Sequence, residues 1–281
     1  MITFSKFGNY GRLGNQMFQY ATLKSLSLRK NYNLFLPLTE NNKLAQSFNI
    51  RCHLFNDSRA LQQISSTFKE KQFNYDPDVF QVKDGTDFEG YFQTEKYFKE
   101  IKYILQREFV PRNESVTKKA KEVIDNIKKE NDGKEIVAFH IRRGDNVPSQ
   151  KNFSTQEGAQ FLTNKEDFHP LLSKEFIEQA PKNFNNCVYI VFSDTQEDMK
   201  WCKENVKIEK AYFLGGNSDL FDFELMKYCD HNIISNSSFS WWAAWLNDNE
   251  QKTVVAPSKW FGKAYAHHNL VDLIPKSWKV I

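Results

Sequence analysis

The run Ile136-Val137-Ala138-Phe139-His140-Ile141-Arg142-Arg143-Gly144-Asp145 constrains this chain more than any other segment. Its apolar, β-branched opening does not alternate, which is how a parallel strand buried on both faces reads. The run then stops abruptly in basic and turn-forming residues. In open α/β sheets, ligands sit beyond the carboxyl ends of such strands. A guanidinium delivered there is always charged and can grip a phosphate through two parallel hydrogen bonds. The feature therefore predicts a pocket for a phosphorylated ligand, with a nucleotide diphosphate as the best fit. Consecutive strand residues point to opposite faces, so one arginine enters the pocket while the other pairs with a carboxylate such as Asp145. The plainer alternative makes both arginines surface ion-pair partners of little energetic weight.

Beyond this run the chain keeps a regular rhythm. Strand-like segments at 136–141, 188–192, 211–214, 232–235 and 253–256 alternate with helix-like segments near 170–179, 197–204, 219–229 and 238–246. Such alternation predicts a parallel sheet with right-handed crossover helices. Upstream, a strand at 2–7 leads through a loop with Gly8, Gly11 and Gly14 into a helix from about 15 to 28. A second strand follows at 34–36, and the pattern weakens from Thr39 to Arg112. A charged helix over 118–129 runs into the turn signal Asp132-Gly133, where a domain boundary is expected. The predicted architecture is α/β, with two Rossmann-like domains (1–133 and 134–281) facing each other across a cleft.

Other segments add weaker signals. Ile233-Ile234-Ser235-Asn236-Ser237-Ser238-Phe239 is a second strand end that runs through small polar residues into a helix. A helix start leaves backbone N–H groups aimed outward and favours an anion, so Ser237 and Ser238 could complement Arg142 on one diphosphate. Plain N-capping by either serine would look the same. Trp241, Trp242 and Trp245 recur at helical spacing and read as core. The loop Gly8 to Gln16 opens a helix, but its glycines do not follow the dinucleotide-binding spacing; Asn15 and Gln16 there offer amide hydrogen bonds. Asp76-Pro77-Asp78 resembles a cation-holding pair yet reads better as a turn. His169, His231, His267 and His268 carry no partner motif and read as structural or surface residues. The four cysteines form no CxxC pair, which suits a reducing compartment. Net charge is only +3, so nucleic acid is not an expected partner. Neither a signal peptide nor a membrane span is expected, and the reading is a cytoplasmic protein with at most peripheral contact with the inner membrane.

Five stretches together resemble the bacterial-type α-1,2-fucosyltransferases and, more distantly, the α-1,6- and protein O-fucosyltransferases. They are Gly11-Arg12-Leu13-Gly14-Asn15-Gln16-Met17-Phe18-Gln19-Tyr20-Ala21, Gly90-Tyr91-Phe92-Gln93, His140 to Asp145, Phe192-Ser193-Asp194, and His231 through Leu246. The resemblance implies a GT-B-like fold, GDP-β-L-fucose as donor substrate, and inversion at the fucose without a divalent metal or other cofactor. It makes the first domain the acceptor side and the second the donor side. Arg142 would bind the β-phosphate and Asp145 would steady the arginine motif, while Asn15 would reach the reacting centre from the other domain. Gly14, His140, Asp222, Ser237, Ser238 and Phe239 would complete the donor site, Asp222 accepting hydrogen bonds from guanine. The implied acceptor is a galactose-terminated glycan, lipid-linked in the setting of polysaccharide assembly. Rival readings are another linkage, such as α-1,6, or a non-catalytic nucleotide-sugar or glycan-binding module. Thr195 departs from the family pattern, which commonly has a second acidic residue there, and the spacing on to Trp201 is longer.

Overall fold

The computed structural model of the protein describes residues 1–143 and 167–281. Its chain forms two compact units, Met1–Lys118 with His268–Lys276, and Lys119–His267 with Ser277–Ile281. The first unit holds β1 (Ile2–Thr3), α1 (Leu13–Lys30), β2 (Leu34–Pro37), α2 (Lys43–Ser47), β3 (His53–Phe55), β4 (Ser66–Lys69), β5 (Thr86–Glu89) and α3 (Lys102–Glu108). Helix α4 (Glu114–Glu130) begins in the first unit and ends in the second. The second unit continues with β6 (Ile136–His140), α5 (Lys174–Gln179), β7 (Val188–Phe192), α6 (Gln196–Asn205), β8 (Ala211–Phe213), α7 (Asp219–Tyr228), β9 (His231–Ile233), α8 (Ser238–Leu246), β10 (Val254–Ala256) and β11 (Lys279–Val280).

In the first unit the strands pair in parallel in the order β3-β2-β1-β5-β4. Helix α1 buries Met17, Phe18, Tyr20, Ala21, Leu23 and Leu26. It stops at Asn31, whose left-handed backbone (φ 55°) its short polar side chain tolerates. Strand β1 is shorter than its apolar run suggests. The carboxylate of Asp87 accepts hydrogen bonds from Ser5 N (2.7 Å) and Ser5 Oγ (2.5 Å), drawing the backbone out of the ladder. The segment whose pattern weakens contains three further strands. Two of them, β3 and β4, are sheet edges built largely of exposed residues, so they carry no buried run to read. Residues His268–Lys276 join this unit through Asp272, which accepts from Tyr75 N at 3.0 Å, and through His268, stacked 3.9 Å from Phe73.

The second unit has six parallel strands in the order β11-β10-β9-β6-β7-β8. Starting from β6, the chain steps outward to β7 and β8, then returns to build β9, β10 and β11 on the other flank. This is the doubly wound dinucleotide-binding order, and it reverses direction between β6 and β9. Strands β6 and β7 are buried at every position, as an unalternating apolar run requires. Helix α8 buries Trp241, Trp242, Ala243, Ala244, Trp245 and Leu246, so the tryptophans are core. Asp132-Gly133, expected as a domain boundary, serves instead to end α4. Gly133 N donates to Lys128 O (2.8 Å) from a left-handed backbone, while the division between units falls after Lys118.

Gly90 follows β5 and leaves no room for a side chain. A Cβ there would lie 2.8 Å from Glu70 Oε2, on a backbone at φ +153°. Gly90→Ala should destabilise the protein by about 1–3 kcal/mol, through overpacking and backbone strain. Gly133→Ala meets nothing within 4 Å and carries only the strain of φ +72°. Urea unfolding of both variants checks this, and an equal or larger loss in Gly133→Ala would contradict it.

Candidate functional site

Strands β6 and β9 lie side by side where the order of the second sheet reverses, and residues leaving them meet. His140 ends β6 and is 5% exposed. Its Nδ1 lies 2.8 Å from Ser235 Oγ, two residues beyond β9. Burial drives the imidazole pKa down to about 4, with Asp194 opposing the fall and Arg142 adding to it. At neutral pH the ring is therefore uncharged and serves as a hydrogen-bonding wall. The half-buried Arg142 is close enough for its charge to be felt there.

The two arginines take different paths. Arg143 stacks on Trp201 of α6, its guanidinium carbon 3.7 Å from the ring centroid, and its Nε lies 3.5 Å from Asp198. Its backbone N donates to Asp194 Oδ2 at 2.8 Å, and Ser193 Oγ donates to Ile141 O at 2.7 Å. Arg143 thus has a structural role, with Asp198 and Trp201 as its partners among the described residues. Asp145, the carboxylate expected for it, lies outside the described residues, as does Gly144.

Ser237 caps α8, accepting from Phe239 N at 3.3 Å. A capping hydroxyl still has its own O–H to donate, so capping and anion binding are compatible. Ser238 and Phe239, both half-buried, form the first turn of α8. The Phe239 ring stands 6.2 Å from His140 and 5.3 Å from Phe223 of α7. Asp222, just before Phe223, accepts from Asn217 Nδ2 at 2.8 Å. Burial raises its pKa to about 7 against the pull of that hydrogen bond, with Asp219 adding a smaller push upward. His140, Ser235, Phe239 and the start of α7 thus converge around the switch point.

Asn15 and Gly14 belong to the first unit, in the first turn of α1. Asn15 is half-buried and its Oδ1 accepts from Gln93 Nε2 at 2.8 Å. Gln16 is not a ligand candidate. Its Nε2 donates to Asn41 O (2.9 Å) and its Oε1 accepts from Leu44 N (3.0 Å), so its amide ties loop to helix. Asp76 caps the short turn Pro77–Gln81, accepting from Asp78 N at 2.9 Å, which is the turn reading of Asp-Pro-Asp. His231 is structural as expected, with Glu135 and Thr253 N on its two ring nitrogens. Among the described residues, no group of three or more His, Cys, Asp or Glu could hold a metal ion, and no helix is long and apolar enough to cross a membrane.

A sequence model described as glycosyl transferase family 11 matches residues 6–280. The chain belongs to that family. An α-1,2-colitosyltransferase of Escherichia coli is 31% identical, the match covering 95% of each chain. The O-antigen biosynthesis glycosyltransferase WbnK of Escherichia coli is 28% identical over 95% of this chain and 97% of its own. Galactoside α-(1,2)-fucosyltransferase 2 of Rattus norvegicus is 26% identical over 84% of this chain and 65% of its own. The crystal structure of POFUT1 in complex with GDP overlays with a TM-score of 0.50 at 14% identity, covering 90% of this chain and 97% of that one. That likeness concerns the fold, which is GT-B-like: two α/β units, each on a parallel sheet.

Within this family 11 protein, the departure at Thr195 has a local explanation. Thr195 caps α6, accepting from Asp198 N at 3.1 Å and donating to Asp198 Oδ2 at 2.8 Å. It therefore orients the carboxylate that meets Arg143, and Trp201, one turn further on, supplies the ring beneath that arginine. Several contributors escape sequence reasoning. Ser235 reads as strand, although its hydroxyl meets His140 at the switch point. Asn236 donates to Pro170 O (2.8 Å) and Trp260 O (3.1 Å), joining two loops. Gln93 and Glu70 show their roles only through partners distant in sequence.

His140 has a pH signature. Its folded pKa lies below the usual value of about 6.5, so the unfolded chain takes up its proton first. The stability it contributes is present above about pH 6.5 and is lost as pH falls toward 4. Urea midpoints of wild type and His140→Asn should therefore draw together as pH falls from 7 to 4.5. A gap that stays constant would refute the buried, neutral assignment.

Proposed function

We propose that this protein transfers L-fucose from GDP-β-L-fucose to the 2-hydroxyl of a terminal β-galactoside, with inversion at the fucose anomeric carbon. The observation that carries the reading is the strand order of the second sheet, which reverses between β6 and β9 where His140, Ser235, Ser237 and Phe239 converge and the Arg142 charge reaches His140. Family membership and the α-1,2-transferases among the relatives support the linkage.

In this reading the bond between fucose and GDP breaks through an oxocarbenium-like state as a galactose hydroxyl attacks the opposite face. Negative charge grows on the β-phosphate oxygen. Arg142 and the start of α8, with Ser237 and Ser238, stabilise that growing charge more than the ground state, and this difference is what accelerates a reaction. These groups supply the charge neutralisation, and no cofactor or divalent metal enters the proposed reaction. Asp145 steadies the arginine motif, while Gly14 lets the backbone approach the donor. Asn15 acts as a hydrogen-bonding catalytic group at the reacting centre. His140 and Phe239 flank the nucleoside, and Asp222 accepts from guanine. The acceptor we propose is a galactose-terminated, lipid-linked glycan at the cytoplasmic face of the inner membrane.

The colitosyltransferase relative favours a second donor, since colitose is L-fucose without its 3-hydroxyl. Purified protein given GDP-fucose or GDP-colitose with a β-galactoside, in excess chelator, separates the readings by product. An α-1,2-fucosylated product supports the first; colitose transfer alone replaces the donor; an α-1,6 product replaces the linkage. Nucleotide-sugar binding without any transfer would leave a binding module.

Arg142→Lys should be nearly as damaging as Arg142→Ala, because an ammonium cannot reproduce the planar fork. Losing a bidentate charge-assisted pair at the reacting centre should lower turnover by about two to four powers of ten. Steady-state transfer assays check this, and near-normal turnover by the lysine variant would remove Arg142 from its role.

Asp222 makes a second prediction. Only its ionised form accepts both guanine N–H groups, and its pKa in the free protein is about 7. GDP affinity should fall as pH drops from 8 to 6, with proton release on binding. Asp222→Asn should bind GDP weakly and lose whatever share of that slope the GDP phosphate does not supply. Calorimetry in buffers of different ionisation heat measures both.

A further inference from the structure

We infer that Gln93 is a positioning residue for Asn15, turning its carboxamide so that the nitrogen, not the oxygen, is presented to the reacting groups. The inference rests on the role proposed for Asn15. Gln93 is 8% exposed, and its Nε2 donates to Asn15 Oδ1 at 2.8 Å. Gln93 takes one of the two lone pairs of that oxygen and fixes which way the amide faces, so donation from Nδ2 is the larger remaining hydrogen-bonding capacity of Asn15 and suits a phosphate or sugar oxygen.

Gln93 is itself held by a constrained turn. Phe92 adopts φ 55°, in the left-handed region that is costly for a bulky residue. The turn is clamped from two sides. Glu70 accepts from Tyr91 N (2.6 Å) and Phe92 N (2.8 Å), one bond to each carboxylate oxygen. Gln19 Nε2 donates to Gly90 O at 3.0 Å, which ties the same turn to α1. Strain kept in place by surrounding bonds of this kind is characteristic of functional sites. Gly11 leaves the space in which the Asn15 nitrogen lies, since a Cβ there would meet Nδ2 first. A Cβ there would lie 2.7 Å from Asn15 Cγ, so any side chain at this position would displace the amide.

Two measurements test the assignment. The first is a thermodynamic cycle of Asn15→Ala, Gln93→Met and the double variant, reading kcat and KM for donor and acceptor and Kd for GDP. Gln93→Met keeps the buried volume and removes the hydrogen bond; Gln93→Glu serves if it does not fold. Gln93→Met should lower kcat about ten- to a hundredfold, with Kd for GDP unchanged within about twofold. The double variant should match Asn15→Ala alone, because Gln93 has nothing to position once the amide is gone. Losses that multiply would overturn the inference. An unchanged kcat in Asn15→Ala would overturn the role of Asn15 and this inference with it.

The second measurement needs no activity, so it separates a failure here from a failure of the proposed reaction. The side-chain amide NMR signal of Asn15, identified by its disappearance in Asn15→Asp, should move toward the solvent-exposed position in Gln93→Met. An unmoved signal would overturn the positioning role even if fucosyl transfer were established.

Discussion

The hydrogen bond between His140 and Ser235 is the interaction on which the arrangement at the switch point of the second sheet depends. At a switch point the two central strands send their connections to opposite flanks of the sheet, and here the ladder pairs them only as far as Phe139 and Ile233. The imidazole on β6 and the hydroxyl beyond β9 meet past that point, at 2.8 Å. Burial makes this possible by keeping the ring neutral, so Arg142 is not set beside a second cation. The same bond orients a ring against which Phe239 packs, and Phe239 in turn meets Phe223 at the start of α7. One contact thus aligns two strand ends and two helices.

Around this point, most polar side chains that could be taken for ligands are occupied in holding backbone. Ser193 and Asp194 brace the segment that leaves β6, and Asn236 joins two loops. In the first unit Gln16 and Gln19 do similar work, and Glu70 clamps a turn of consecutive N–H groups. A loop cannot run through a protein interior with unpaired backbone groups, so these amides and carboxylates are the condition for bringing Asn15 to a defined orientation.

The two α/β units differ in how well they announce themselves. In the second, the central strands are buried on both faces and bounded by polar turns, so β6, β7 and α8 could be read closely from residue pattern. In the first, β1 is cut short by Asp87 capturing Ser5, while β3 and β4 are exposed edges. Local pattern cannot reveal either outcome, because each depends on which strands become neighbours. At Asp132-Gly133 the turn signal is used to end a helix, while the contact-dense units part after Lys118.

The sequence alone determined the class of fold, the basic strand end at Arg142, the helix-opening serines and the buried tryptophans, since each rests on the period, charge or capping chemistry of adjacent residues. Only the tertiary structure decided that Ser235 meets His140 across 95 residues and Gln93 meets Asn15 across 78. The same holds for Arg143, which turns to Asp198 and Trp201. These pairings follow from strand order and crossover, and a chain cannot display in its local pattern a partner that becomes near only once the sheet has assembled.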